Sequence, residues 1–361
     1  MKKIISVFLM FVLIWLLLIG CNDITEAPLD DTTNNITDSP TNKVTNSRPD
    51  IPNNTTESYP DEDANPESDF EYKVRDDGEF EITKYIGNDK NVVIPKKIDG
   101  KTVTVIGMSA FSGSLVESLV MPDTIKYTSF GAFNGCKNLK DIKMSSSLIT
   151  VSLAAFHDCK SLTSIDLSMS SLKYIDEEAF SGCENLKTVK FGDNVILIGD
   201  KAFFGCASLE EIILPKNLQE IGEQAFLNCF NVKKIWIPKT LEKWGYYPFP
   251  ASASVTEIIF EDGLKQIGGV ENVLCYNGKI ETLRIPASVE LISSGAFWDC
   301  ANLKEIYFEG NAPQIGNGKF IDFATPVESV KIYYNPSKSG WDTTPLRDIY
   351  TLIPLFKIGL G

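Results

Sequence analysis

The apolar positions of this chain fall into three regimes. Ile4 to Ile19 is an apolar run interrupted only by Ser6, preceded by Lys2 and Lys3 and closed by Gly20 and Cys21. From residue 22 to 69, large apolar side chains are sparse among Asn, Thr, Asp, Ser and Pro. Beyond that point apolar positions recur with a period close to 23 residues. The dipeptide Ala-Phe places Phe111, Phe133, Phe156, Phe180, Phe203 and Phe226, then Phe297; Pro-Phe replaces it at Phe249, and Phe320 keeps the aromatic alone. Spacings from Phe111 to Phe249 are 22, 23, 24, 23, 23 and 23. The 48 residues from Phe249 to Phe297 leave room for one degenerate unit around Val273-Leu274, which makes ten units.

One unit, Leu218 to Pro238, shows what the pattern predicts. Val232, Ile235 and Ile237 lie at i, i+3 and i+5. The last two obey the two-residue period of a strand with one buried side. Pro238 ends that strand, as do Pro122, Pro215 and Pro286 elsewhere, because proline has no N–H for a ladder. The Gly222 position holds Gly, Ser or Asp in all ten units, which suits a tight turn. The Ala-Phe segment is too short for a stable free helix and predicts one helical turn with its aromatic in the core. Such a unit cannot bury its own apolar side, so neighbours must stack and their strands pair about 4.8 Å apart. Ten coils then give a parallel sheet roughly 45 Å long.

The pattern Ile-Gly-x-x-Ala-Phe-x-x-Cys-x-x-Leu-x-x-Ile-x-Leu-Pro is nearly complete at Ile198–Pro215 and Ile221–Pro238. It resembles the BspA-like (Treponema-type) leucine-rich repeats of bacterial surface proteins, over residues 101–335. The fold expected is therefore a leucine-rich-repeat solenoid of α/β horseshoe type. It is strand-rich with short helical turns, right-handed, with about ten coils and a parallel sheet on one face. The resemblance implies a protein that binds host or neighbouring-cell proteins, but no ligand motif carries over residue by residue. Residues 70–100, with a hairpin signal at Asp77-Gly78 and a strand at Val92-Val93-Ile94, read as an N-terminal cap. Residues 336–361, after Lys331-Ile332-Tyr333-Tyr334 and including Trp341, read as a C-terminal cap, since end repeats must cover an exposed core.

The first regime reads as an export signal over residues 1–20, because its length, basic flank and small residue before the break suit a signal peptide better than a spanning helix. Leu18-Ile19-Gly20-Cys21 resembles the bacterial lipobox, which implies acylation of Cys21 and anchoring to the outer face of a bacterial cell membrane. An uncleaved membrane anchor with an incidental cysteine is the alternative. Residues 21–69 read as a disordered acidic tether. Within 22–69 there are twelve Asp and Glu against Lys43 and Arg48, too polar to offset the entropy of ordering. As a coil this segment spans roughly 40 Å.

Charge and cysteines narrow the chemistry. A net charge of −14 argues against a nucleic-acid partner, which needs a basic face. Cys136, Cys159, Cys183, Cys206, Cys229 and Cys300 each lie three residues after the aromatic position of their repeat. They should form one column whose parallel side chains suit buried packing better than disulfides. Ser114 and Ser252 fill the same offset, and with Cys21 lipidated an odd number of thiols remains. The sole histidine, His157, is followed by Asp158 and Cys159, yet adjacent residues on one turn point apart and Cys159 belongs to the column. With no second His, no Cys-x-x-Cys and no phosphate-binding Gly-rich loop, no metal, cofactor or catalytic residue is expected.

A binding surface is expected on the strand face, where parallel strands hold side chains in register. Between the two buried strand positions, one outward column reads Val120, Lys143, Asp166, Lys190, Ile213, Trp236, Ile259, Arg284, Tyr307 and Lys331. Its centre, Ile213–Trp236–Ile259 flanked by Lys190 and Arg284 with Tyr307 beyond, suggests a partner site. The plainer account is that β-branched and aromatic residues favour strands and pair well across them. In the seventh repeat Trp244 takes a core position. Tyr246 and Tyr247 replace polar residues there and could stack on sugar rings or dock a protein, unless Pro248 merely makes the turn irregular. The chain thus reads as a non-enzymatic surface interaction protein or adhesin, with an envelope structural module or a carbohydrate-binding accessory protein as alternatives.

Overall fold

Strand pairing in this protein follows directly from the repeat length. In the computed structural model, which describes residues 64–250, 254–269, 274, 279–298, 300–316, 321 and 329–355, each coil returns the chain to the same register one step along. The expectations for residues 1–63, Cys21 included, and for Ser252, Val273 and Phe320 lie outside the described residues. The Leu-x-x-Ile-x-Leu stretch forms a longer strand, from Asn91–Val93 and Ser118–Val120 through Lys234–Ile237 to Lys331–Tyr334. Neighbouring long strands pair in parallel, as Ile212, Ile235 and Ile258 do in successive coils. About eleven turns of roughly 23 residues result, because both caps add strands to the stack.

A second, narrower series of parallel strands lies just before the Gly222 position, where the sequence pattern predicts no strand. It runs from Tyr127–Thr128 through Leu197–Ile198 and Glu220–Ile221 to Lys243–Trp244, and resumes at Gln266–Ile267. One buried and one outward residue per strand explains why two residues suffice, as in Glu220 and Ile221.

The Ala-Phe segment is not a helical turn. Among the described residues there is no α-helix, and the helical pieces are short 3-10 segments such as Glu67–Asp69 and Pro345–Asp348, so the horseshoe lacks the expected helical side. The chain instead enters the left-handed region two residues before and two residues after the aromatic. Around Phe203 these are Lys201 (φ 51) and Gly205 (φ 72); around Phe226 they are Gln224 (φ 54) and Asn228 (φ 64). A helix would bond its N–H groups within itself. This shape turns three of them toward the next coil, where Lys201 donates to Glu223 (2.8 Å), Phe203 to Ala225 (2.8 Å) and Gly205 to Leu227 (2.9 Å). Satisfying buried amides between coils outweighs the cost of about 1–2 kcal/mol for each left-handed non-glycine residue.

Gly222 also differs from expectation. It does not lie in the left-handed region. A Cβ there would sit 2.4 Å from the backbone of Gly199 and Asp200, so the residue is small because successive coils nearly touch.

The core is a column of rings. Tyr85, Phe111, Phe133, Phe156, Phe180, Phe203 and Phe226 stack with neighbouring centroids 4.8–5.2 Å apart. Tyr85 of the cap starts this column. The cap itself is the expected hairpin, Phe70–Val74 against Phe80–Tyr85, and the second strand continues in parallel into Lys101–Ile106. Residues 64–69, counted with the tether above, belong to the cap. The Asn65 N–H donates to the Val93 carbonyl (2.9 Å), its side-chain oxygen accepts from the Val93 N–H (2.9 Å), and Glu67 accepts from the Asp99 N–H (3.0 Å). At the far end Thr351–Pro354 adds a parallel strand. Trp341 is buried against Phe308 and Tyr334, its Nε1–H donating to the Gly310 carbonyl at 3.1 Å.

Candidate interaction surfaces

The long-strand register builds the expected outward column with one correction. Val120 pairs with Lys143, Asp166 with Lys190, Trp236 with both Ile213 and Ile259, and Arg284 with Tyr307. The partner of Tyr307 is Tyr333, whereas Lys331 pairs with Glu305. The two-residue slip arises because the coil before Lys331–Tyr334 is longer than its predecessors, and a fixed spacing does not see it.

Exposure redistributes the column. Trp236 is fully buried and Ile213 is 7% exposed, so the centre of the expected patch is closed. Direct partners in parallel register pack over one another, and cross-strand packing is the account that this burial favours. Lys190 and Ile259 are half-buried, and Lys190 is held by Asp166 at 3.2 Å. Arg284 is exposed, and Tyr307 and Tyr333 beside it are half-buried. The Arg284 guanidinium stands 4.8 Å from the Tyr307 ring centre, and Tyr307 stacks on Tyr333 at 4.6 Å with 8° between planes. Both hydroxyls donate to Glu305, at 3.0 and 3.2 Å. Desolvation, and the Glu305 carboxylate that accepts its hydrogen bond and repels the phenolate, push the Tyr307 phenol up to about 12. The arrangement is a rigid cation–aromatic–aromatic row locked by one carboxylate.

Trp244 packs in the core, edge-on to Phe249 at 6.3 Å. Tyr246 is 37% exposed and Tyr247 half-buried with φ 50. Their rings meet edge to face, 4.5 Å apart at 86°, so they do not offer one flat platform.

Among the described residues the cysteines form the expected column, and all six are buried: Cys136, Cys159, Cys183, Cys206, Cys229 and Cys300. Packing is only part of their role. Each thiol points at a main-chain carbonyl one coil back, Cys183 Sγ to Phe156 O at 3.2 Å and Cys206 Sγ to Phe180 O at 3.3 Å. That same carbonyl already accepts the N–H of its own coil's cysteine, as Phe180 does from Cys183 at 3.3 Å. A weak second donor thus fills its free lone pair. Burial pushes the Cys183 and Cys206 thiols well up, away from reactive thiolate. His157 lies 3.8 Å from Asp158, while the Cys159 thiol turns inward to Phe133 O at 3.3 Å, so the three do not converge. Among the described residues no group of three or more His, Cys, Asp or Glu could hold a metal ion.

The profile of the BspA type Leucine rich repeat region matches in six copies over residues 104–230, 154–270 and 219–338, well over half of the chain. The chain belongs to this family. None of the curated proteins compared with it matches. Similar solved structures include a leucine-rich repeat protein of T. pallidum, at 21% identity over 70% of this chain and 86% of that one (TM-score 0.30). A leucine-rich cell surface protein of Faecalibacterium prausnitzii gives 19%, 81%, 98% and 0.32 for the same quantities. The pneumococcal vaccine antigen PcpA gives 22%, 80%, 97% and 0.37. At these scores the structural likenesses carry no argument, and the family assignment rests on the repeat profile and the strand register.

Proposed function

We propose that this BspA-type chain is a non-enzymatic, surface-displayed interaction protein that binds a protein partner through the long-strand face at Arg284, Tyr307 and Tyr333. The observation that carries this is the locked row itself. Aromatic and arginine side chains held rigid on a strand lose little entropy when a partner covers them, which is the usual make-up of a binding hot spot. Display outside the cell rests on the apolar run from Ile4 to Ile19 and the lipobox-like Leu18 to Cys21, with Cys21 as the lipidated residue.

The test is a screen of the purified protein against matrix proteins, cell-surface glycans and wall fragments. Arg284→Ala and Tyr307→Ala should weaken binding of a protein ligand by tenfold or more. Binding that is equal in the parent and both variants ends the proposal. Selective loss of glycan binding instead favours the carbohydrate reading, which the parallel Tyr307–Tyr333 faces support. Blocking lipoprotein signal processing in cells should leave a larger precursor; an unchanged size rejects Cys21.

A further inference from the structure

A second outward column, at the corner between the short strand and the aromatic, changes character halfway along. It holds the residue three before the aromatic, and main-chain bonds fix its register. Ser109 donates to Phe130 O (3.1 Å), Gly131 to Leu153 O (3.0 Å), Ala154 to Glu177 O (2.9 Å), Glu178 to Asp200 O (2.9 Å) and Lys201 to Glu223 O (2.8 Å). The column is therefore Met108, Phe130, Leu153, Glu177, Asp200 and Glu223, followed by Tyr246, to whose carbonyl Gln224 donates (2.8 Å). Met108 is 65% exposed, Phe130 47% and Leu153 37%. Two more exposed rings, Tyr127 and Tyr174, lie on the short strands beside it. Glu177, Asp200 and Glu223 are all exposed, and among the described residues no ion pair engages them.

Single exposed apolar residues are ordinary. Three in successive coils at one position, where the next three coils place carboxylates, form a stripe with a polarity. We propose that this corner docks an amphipathic helix of a partner protein, apolar along its first half and cationic along its second. Charge decides the second half, since an uncompensated acidic row favours lysine or arginine and rejects acidic partners. Spacing decides the conformation. The neighbouring phenylalanine rings set a coil step of 4.8–5.2 Å. A helix repeats its face at i+3 and i+4, about 4.5–6 Å, whereas one face of a strand repeats at about 6.8 Å. Six positions cover about 25 Å, or about 17 residues of helix. The acidic half makes an anionic membrane surface a poor occupant. This surface is separate from the long-strand row and does not depend on the function proposed for it.

The experiment uses the purified chain and a labelled helical peptide of about 18 residues, with leucine at the first, fourth and eighth positions and lysine at the eleventh, fifteenth and eighteenth. Fluorescence anisotropy should show saturable binding. Phe130→Ser with Leu153→Ser, and separately Glu177→Lys with Glu223→Lys, should each weaken it about tenfold or more. The charge-reversed variant should gain binding to a peptide carrying glutamate in place of lysine, and Tyr307→Ala should change nothing. Thermal melting confirms that the variants, all at exposed positions, remain folded. No saturable binding at millimolar peptide, or binding that ignores both variants, overturns the proposal. So does binding of neutral phosphatidylcholine vesicles that Phe130→Ser with Leu153→Ser abolishes and charge reversal leaves intact. A concentration-dependent dimer lost in Phe130→Ser also overturns it, by making a second copy the occupant.

Discussion

The coils from Phe111 to Phe226 repeat one arrangement, whereas those from Phe249 to Ile321 each fill the same place differently. In the first group the rings stack at 4.8–5.2 Å and tilt by at most 23°. Phe249 stands 6.5 Å from Phe226, Leu274 holds the next position, and Phe297 and Ile321 follow in parallel bridge register. Phe260 reaches Phe297 edge-on at 6.4 Å, as Phe191 reaches Phe203 at 5.5 Å among the regular coils. The short-strand series, continuous up to Lys243–Trp244, breaks here and resumes at Gln266–Ile267, whereas the long-strand series is already broken after Asp141–Lys143 and after Thr188–Phe191 and breaks again after Glu257–Phe260. What survives is the main-chain link at the corner, Leu274 N–H to Ala296 O at 2.9 Å, with the Cys300 thiol still facing Leu274 O at 3.6 Å. The lesson is that corner hydrogen bonds define the coil, while the aromatic column is a filling that can be exchanged.

The largest expected effect tests that filling. Phe180→Ala removes a fully buried ring stacked on both sides and should cost about 3–5 kcal/mol in guanidinium unfolding. Phe249→Ala, with one distant stacked neighbour and the edge of Trp244, should cost at least about 1 kcal/mol less. The opposite order would break the comparison.

Coil approach comes next. Gly222→Ala drives a methyl into main chain at 2.4 Å and should destabilise by about 2–3 kcal/mol. In Gly205→Ala the methyl meets nothing closer than 3.9 Å, and only the left-handed φ of 72° opposes it, about 1 kcal/mol. Thermal or denaturant melts of the pair separate packing from backbone strain, and equal losses would refute the close-approach account.

Smaller again is the thiol column. Cys206→Ala should cost about 1–2 kcal/mol, from lost volume plus the donor to Phe180 O, and Cys300→Ala less, since its contact is longer. Thiol reagents should leave the six described cysteines unmodified in the native protein and label them on unfolding; labelling of the folded chain would contradict their burial.

Periodicity alone was enough to locate every regular coil, the inward aromatics and the cysteine column, because those depend on spacing that the chain prints openly. Three features were hidden for physical reasons. Left-handed residues such as Glu178, Lys201 and Gln224 carry no glycine to mark them. The two-residue short strands, such as Glu220–Ile221, are too brief for alternation to register. Burial of Trp236 and the pairing of Tyr307 with Tyr333 depend on neighbours and on one longer coil, which a fixed period cannot convey. The Met108–Phe130–Leu153 stripe did leave a signal, three apolar residues at a position that is acidic in the next three coils, and reading each column along the coils would have found it.

The smallest effects oppose the two ends of the solenoid through pH. In the early coils Glu117 bridges Lys140 and Lys90, both at 2.8 Å, and their hydrogen bonds and charges hold its carboxyl down at about 2. A depressed folded pKa gives stability that is complete above the ordinary value of 4.5 and lost as pH falls through about 2. In the late coils the Tyr307 phenol is raised to about 12, so its contribution is complete below the ordinary value of 10.0 and lost as pH rises through about 12. Glu117→Gln should therefore flatten only the acid limb of a stability profile, and Tyr307→Phe only the alkaline limb. Both groups lie near solvent, so added salt should shrink the acid effect markedly. The alkaline effect, set first by desolvation of the ring stack, should survive salt better. If salt erases both limbs equally, the row at Arg284, Tyr307 and Tyr333 is less sheltered than its geometry implies, and its claim to be a preorganised binding surface weakens with it.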